Sequence, residues 1–233
     1  MVEYTVRVSP RARHARLRVS PRAEVEVVVP RGFDRSRIPA LVREQERWID
    51  RTVRRMLAQA PLPVAPVEVA LPKRIFLRAI SEEWTVEYRP GTGKCVRGRE
   101  CDGRVLLLTG AVGDSDLCKG LLRRWLARVA ARHLLPRLDE TVRETGLTYA
   151  KAAFRGQRSR WGSCSRRGSI SLNYKLLFMP ETLVRYVILH ELCHTVVPNH
   201  SRRFWALVAA KSPSWRGAHV AMRTAWRDVP GWV

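Results

Sequence analysis

Three polar residues near the C-terminal end of the chain have the types and the spacing of a metal site. His190 and His194 are separated by three residues, and Glu191 directly follows His190. In an α-helix, positions i and i+4 lie on the same face one turn apart, so both imidazole rings can bind one ion. Glu191 would lie roughly 100° further round the helix, where its carboxylate can reach a water bound to that ion. The pattern predicts a zinc ion with a carboxylate base beside it.

A third histidine follows at a distance that suits a third ligand. Five residues separate His200 from His194, and Pro198 and Asn199 among them favour a break in the helix. The chain can therefore turn back and bring the third imidazole towards the ion. Because a catalytic zinc ion keeps three protein ligands and one open position, we expect His190, His194 and His200 to bind one Zn²⁺ ion per chain.

The residues around this motif are strongly apolar. The segment Tyr-Val-Ile-Leu at 186–189 leads into it, and Leu192 and Cys193 separate Glu191 from His194. Buried imidazole and carboxylate groups cost several kcal/mol unless something satisfies them. A bound metal ion would satisfy these groups.

Helical patterns on both sides of the motif indicate the elements that position it. One helix is expected to begin at Glu181, after Pro180, and to continue through His194. A second helix is expected from Ser201, which can cap it, to about Ala210. The third histidine therefore belongs to the connection between two helices.

The segment before the first of these helices is basic and contains a predicted strand. Residues 151–175 hold seven basic side chains and no acidic one. Alternation over residues 169–174 indicates a strand, which we expect to pair with an extended substrate. Arg160 and Asn173 are candidates for substrate binding, where they would polarise a carbonyl or phosphate group.

The N-terminal half of the chain is rich in strand patterns. Strands are expected over residues 4–8, 15–19, 25–29, 75–77, 84–88 and 104–108, a helix over 35–57, and a proline-rich linker over 61–66. A long helix is expected over about residues 116–145, with Asp114 or Ser115 as its cap, Gly146 at its end and Pro136 bending or splitting it. The patterns predict an α+β fold in which a β-rich region with one helix, residues 1–112, precedes a second domain, residues 113–233.

The composition of the chain indicates where the protein is located and which partners it can have. The 233 residues include 43 Lys and Arg against 21 Asp and Glu, a net charge of +22, and 45% hydrophobic residues, enough to bury a core. No segment approaches the ~18–20 apolar residues of a membrane span, and the five cysteines are scattered. We therefore expect a cytoplasmic protein with reduced thiols and no membrane partner. The positive charge is compatible with a nucleotide or nucleic acid partner.

Four segments together resemble the YgjP-like family of metal-dependent hydrolases, which is related to the SprT-like and WLM zinc peptidases. They are RWGSCS at 160–165, ISLN at 170–173, HELCH at 190–194 and HSRRFW at 200–205. The resemblance implies a small zincin-like catalytic domain of the gluzincin type (a minigluzincin), here over residues 113–233, with its active-site helix packed on a short mixed sheet. It also implies three histidine ligands and a catalytic glutamate at the positions named above.

Three functions are compatible with these residues. The leading hypothesis is zinc-dependent hydrolysis of peptide bonds in a protein or peptide substrate, with Glu191 as the general base. The first alternative keeps the metal but changes the substrate, since some YgjP-like relatives are described as UTP pyrophosphatases and an acid-free basic segment suits a triphosphate. The second alternative is a nucleic-acid-binding protein with a structural zinc ion. Its phosphate contacts would come from the N-terminal basic residues Arg7, Arg11, Arg13, Arg16, Arg18 and Arg22.

Overall fold

The computed structural model describes residues 3–10, 12–19, 23–59 and 70–233. The chain divides into two compact units, Met1–Ala65 and Pro66–Val233. The strands between residues 74 and 110 therefore belong to the second unit, and the predicted domain division after residue 112 stays a prediction. The predicted linker over 61–66 lies outside the described residues, as do Arg11 and Arg22.

The described residues of the first unit form a three-stranded sheet and two α-helices. They are β1 (Thr5–Val8), β2 (Arg16–Val19), β3 (Val25–Val29), α1 (Ile38–Glu44) and α2 (Glu46–Gln59). The central strand β3 pairs in parallel with β1 and antiparallel with β2. The core of this unit consists of the buried side chains of Val25, Val27, Val29, Ile38, Val42 and Ile49. The helix predicted over residues 35–57 is interrupted at Gln45, whose backbone leaves the helical conformation.

The second unit begins with a four-stranded sheet. Its strands are β4 (Arg74–Leu77), β5 (Glu82–Pro90), β6 (Val96–Cys101) and β7 (Val105–Gly110), in the order β4-β5-β7-β6. β5 and β7 are parallel, and the other neighbours are antiparallel. The sequence pattern does not predict β6, because Arg97, Gly98, Arg99 and Glu100 lack the apolar alternation of a typical strand.

The long helix α3 (Ser115–Thr145) forms the centre of the core in this unit. The Asp114 carboxylate caps it by accepting hydrogen bonds from the backbone N–H groups of Asp116 and Leu117, and Gly146 ends it in the left-handed conformation. Pro136 lies inside the helix and does not split it. Neither α3 nor any other helix in the described part of the chain is both long and apolar enough to cross a membrane.

A short mixed sheet follows α3. Its strands are β8 (Lys151–Arg155), β9 (Gly162–Cys164) and β10 (Ser169–Asn173), in the order β8-β10-β9. β10 pairs in parallel with β8 and antiparallel with β9. The strand predicted over 169–174 corresponds to β10, but both of its edges are already paired. The predicted pairing of this strand with a substrate is therefore wrong, because the edge strands of this sheet are β8 and β9.

Three helices complete the unit: α4 (Glu181–Val196), α5 (Arg202–Lys211) and α6 (Trp215–Ala221). α4 begins directly after Pro180, and Val197 adopts the extended conformation that a following proline favours, which ends the helix. α4 packs against β9 and β10. The predicted α+β class, with the active-site helix on a short mixed sheet, is confirmed.

Candidate metal centre and active site

Three imidazole rings converge at the C-terminal end of α4. His190 and His194 project from successive turns of this helix, and His200 follows in the connection to α5. The Nε2 atom of His200 lies 3.0 Å from Nε2 of His190 and 3.2 Å from Nε2 of His194. One nitrogen from each of the three rings lies within 4.8 Å of the others. The structure thus brings together the three histidines that the sequence indicated.

The tautomers and charges of these rings suit metal binding. Nδ1 of His194 lies 3.0 Å from the carbonyl oxygen of Val197, which can only accept, so this nitrogen carries the hydrogen and Nε2 keeps its lone pair. Burial, together with the neighbouring histidines, lowers the pKa of His190 to about 3. Burial also lowers the pKa of His194. Two neutral rings, with Nε2 of His200 at 3.0 and 3.2 Å from their own Nε2 atoms, suit a divalent metal ion that prefers imidazole ligands.

Aromatic side chains from α5 hold the three rings in place. Phe204 is fully buried and stacks on His194, with ring centroids 4.3 Å apart, and its edges contact the rings of His190 and His200. Trp205 stacks on His200 at 5.6 Å. Packing against Phe204 and Trp205 therefore fixes the position of the exposed His200.

Glu191 lies on the buried side of α4. The residue is 5% exposed, and its Oε2 atom accepts no hydrogen bond from any residue that the structure describes. Burial raises the pKa of this carboxyl group to about 7, and the positive charge of Arg160 acts in the opposite direction. A carboxylate with a pKa near neutrality suits proton transfer.

Strand β9 passes so close to Glu191 that a side chain would not fit between them. A Cβ atom added to Gly162 would lie 2.6 Å from both Cγ and Oε1 of Glu191. Glycine is therefore required at this position by the close approach of the carboxylate. Trp161, the residue before it, stacks on Trp226 with ring centroids 4.1 Å apart, which fixes the start of the strand.

The open edge of β9 lies beside this carboxylate, and its backbone groups pair with no further strand in the described part of the chain. The N–H of Asn173 donates to Trp161, and the N–H of Ser165 donates to Ser169. In an antiparallel pair of strands, every second residue directs its backbone N–H and C=O groups towards the partner strand, and the residues between them direct theirs away from it. The N–H and C=O groups of Gly162 and Cys164 therefore point away from β10, towards the edge where the described chain has no further strand.

Tyr186 and His219 adjoin the site, although neither was among the site residues predicted from the sequence. The Tyr186 hydroxyl lies 2.8 Å from Nδ1 of His219 and 3.4 Å from Nδ1 of His190. Tyr186 precedes His190 by four residues, so the same helical spacing that pairs the two ligands could have indicated it. It connects a histidine on α6 to the first candidate ligand.

The two predicted substrate-binding residues have different surroundings. Arg160 is exposed and lies near enough to Glu191 to affect the pKa of its carboxyl group. Asn173 is fully buried, and its amide donates to the carbonyl oxygens of Gln157 and Arg160 while its oxygen accepts from the N–H of Lys175. The predicted substrate contact of Asn173 conflicts with this burial, because both of its donors are used to hold the loop before β9.

The fold and the histidine cluster together have the features of a metal-dependent hydrolase, and comparisons with known proteins define the class. Residues 13–225 match the family described as YgjP-like, metallopeptidase domain. Since the match extends over most of the chain, the protein belongs to the YgjP-like metallopeptidase family, and this membership implies a divalent metal ion and peptide substrates in general terms.

Solved structures resemble the chain only distantly. The zymogen of the metallopeptidase abylysin from Pyrococcus abyssi is 21% identical, and the match covers 39% of this chain and 92% of that chain with a TM-score of 0.36. The zymogen of jannalysin from Methanocaldococcus jannaschii is 17% identical, with 40% and 96% covered and a TM-score of 0.36. No curated protein matches the chain. The family assignment therefore depends on the family match alone.

Proposed function

We propose that this protein is a zinc-dependent metallopeptidase in which His190, His194 and His200 bind the metal and Glu191 is the general base. The observation that carries the proposal is the convergence of three imidazole nitrogens, one of them on the residue before a buried carboxylate. No described residue donates a hydrogen bond to Oε2 of that carboxylate. Three histidine ligands would leave the open position that a catalytic zinc ion keeps.

The bound metal ion and Glu191 would have different roles in the reaction. When bound, a zinc ion would supply a Lewis acid that polarises the scissile carbonyl and lowers the pKa of water. Glu191 would accept a proton from the water that attacks the carbonyl carbon. It would then donate this proton to the leaving amine nitrogen as the C–N bond breaks.

The edge of β9 offers a way to orient the substrate. An extended peptide can add to an open sheet edge through backbone hydrogen bonds, which bind any sequence. Gly162 and Cys164 supply N–H and C=O groups at this edge, and Gly162 contacts Glu191. A peptide bound there would lie beside the general base.

Two variants and a control test the proposal. Elemental analysis should find about one zinc ion per chain in wild-type protein and in Glu191→Gln, and none in His194→Ala. Wild-type protein should cleave an unfolded protein substrate, whereas neither variant should do so. His133→Ala changes a half-buried histidine on α3, outside the cluster, and should retain both zinc and activity. Hydrolysis by Glu191→Gln at the wild-type rate would contradict the assigned role of the carboxylate.

The same samples separate the alternative functions. Exposed basic residues in the segment 151–167 also suit a triphosphate, so UTP is assayed in parallel with the protein substrate. Metal-dependent cleavage of UTP without peptide cleavage would favour the pyrophosphatase. Zinc binding that depends on His194 but supports neither reaction would favour a structural zinc ion in a binding protein.

A further inference from the structure

Four arginines flank the open edge strand β9. Arg158 and Arg160 precede it, and Arg166 and Arg167 lie in the turn that follows it. All four are exposed, and none of them forms an ion pair with a described acidic side chain. Because residues 151–175 contain no acidic residue, nothing nearby in the sequence balances their charge.

We propose that this protein prefers peptide segments that carry acidic side chains on both sides of the scissile bond, and that the two arginine pairs bind them. The inference depends on the proposed function, since it takes β9 as the strand that pairs with the substrate. It goes further by naming the substrate class: acidic segments of unfolded or extended polypeptide.

The spacing of the arginines fits such a segment. Arg160 and Arg166 are six positions apart, and an extended chain advances about 3.3 Å per residue, so the two lie up to about 20 Å apart along the strand direction. A peptide paired with Gly162 and Cys164 would reach one arginine pair at each end. Its central bonds would lie beside Glu191, where Arg160 already acts on the carboxyl group.

The surroundings favour a peptide over a nucleic acid. Single-stranded nucleic acids gain much of their affinity by stacking bases on exposed aromatic rings. The aromatic side chain at this edge, Trp161, already stacks on Trp226. Guanidinium groups pair equally well with carboxylates, which an acidic peptide supplies at the spacing of its residues.

Peptide binding to the zinc-loaded Glu191→Gln protein tests the inference without turnover. Two fluorescein-labelled peptides are compared by anisotropy, identical except that one carries Glu and the other Gln at one position on each side of the centre. The acidic peptide should bind about tenfold more tightly at low ionic strength, and the difference should largely vanish at about 0.5 M salt. Adding Arg158→Glu with Arg160→Glu, or Arg166→Glu with Arg167→Glu, should weaken the preference for the acidic peptide in each case.

A matched control has the same change in charge at a different sheet. Arg97→Glu with Arg99→Glu alters two exposed arginines of β6 and should leave the preference for the acidic peptide intact. Equal affinity for the two peptides, or an equal loss in this control, would overturn the inference. So would an oligonucleotide that binds through the same four arginines more tightly than the acidic peptide.

The two proposals can fail separately. If zinc-loaded wild-type protein cleaves neither peptide, the proposed function fails, and the binding comparison still decides the acidic preference. If wild-type protein cleaves both peptides with the same kcat/KM and the Glu191→Gln protein binds them equally, only the acidic preference fails.

Discussion

Replacing Glu191 with glutamine should stabilise the metal-free protein at alkaline pH, although the same change should abolish peptide hydrolysis. Glu191 is 5% exposed, and no described residue donates a hydrogen bond to its Oε2 atom. Burial of this kind disfavours the charged form and raises the pKa of the group to about 7. Above that pH, the folded protein holds an ionised carboxylate in surroundings that solvate it poorly.

The sign and the size of the effect follow from the pKa values of the folded and unfolded chain. The ordinary pKa of the side chain is 4.5, so the unfolded chain loses this proton first as the pH rises. The contribution of Glu191 to the free energy of unfolding therefore falls between pH 4.5 and about 7, and changes little outside this window. At about 1.4 kcal/mol per pKa unit, ionisation destabilises the folded state by about 3 kcal/mol. Glutamine has no charge at either pH and avoids this loss.

Urea unfolding of chelator-treated protein measures the difference. The free energy of unfolding of Glu191→Gln, relative to wild type, should be about 3 kcal/mol more favourable near pH 9 than near pH 5. Any change in hydrogen bonding caused by the amide contributes equally at both pH values and cancels. Glu140→Gln changes an exposed carboxylate on α3 and should show no such difference. The same effect of Glu191→Gln at both pH values would refute the burial argument.

Two further substitutions test the surroundings of the site. Gly162→Ala places a Cβ atom 2.6 Å from the Glu191 side chain and should reduce kcat about 100-fold while zinc content is unchanged. Gly113→Ala adds a Cβ atom that meets nothing within 4 Å and should leave kcat unaltered. Tyr186→Phe removes the hydroxyl next to the first ligand ring and should weaken zinc affinity about tenfold in competition with a chelator. Tyr149→Phe, which loses a hydrogen bond to Asp139 away from the site, should retain wild-type zinc affinity.

Local patterns were sufficient to predict the helix that carries the candidate metal site. The expected helix from Glu181 corresponds to α4, and the three rings named from their spacing lie together. Both results follow from interactions within about twenty residues, where helical periodicity and a proline decide the path of the chain. The caps of α3 were predicted for the same reason, since Asp114 and Gly146 act on their own helix.

Features that depend on distant pairing could not be read from the sequence. β9 is only three residues long, too short for an alternating pattern, and its contact with Glu191 spans 29 positions. Asn173 was predicted to polarise a carbonyl or phosphate group of the substrate, but its partners Gln157 and Arg160 become its neighbours only when β10 pairs with β9. Strand order likewise decided which edge is open, and no local signal encodes that order.

In the proposed mechanism, the register of β9 would connect substrate binding to proton transfer. Gly162 allows the Glu191 carboxylate to approach the strand, and the same residue directs its own N–H and C=O groups to the open edge. A shift of one residue in the pairing with β10 would reverse both properties at once. It would turn the Ser163 side chain towards Glu191 and would direct the backbone groups of Gly162 into the sheet. Distortions of this strand should therefore raise KM and lower kcat together, whereas the loss of Glu191 alone should lower kcat only.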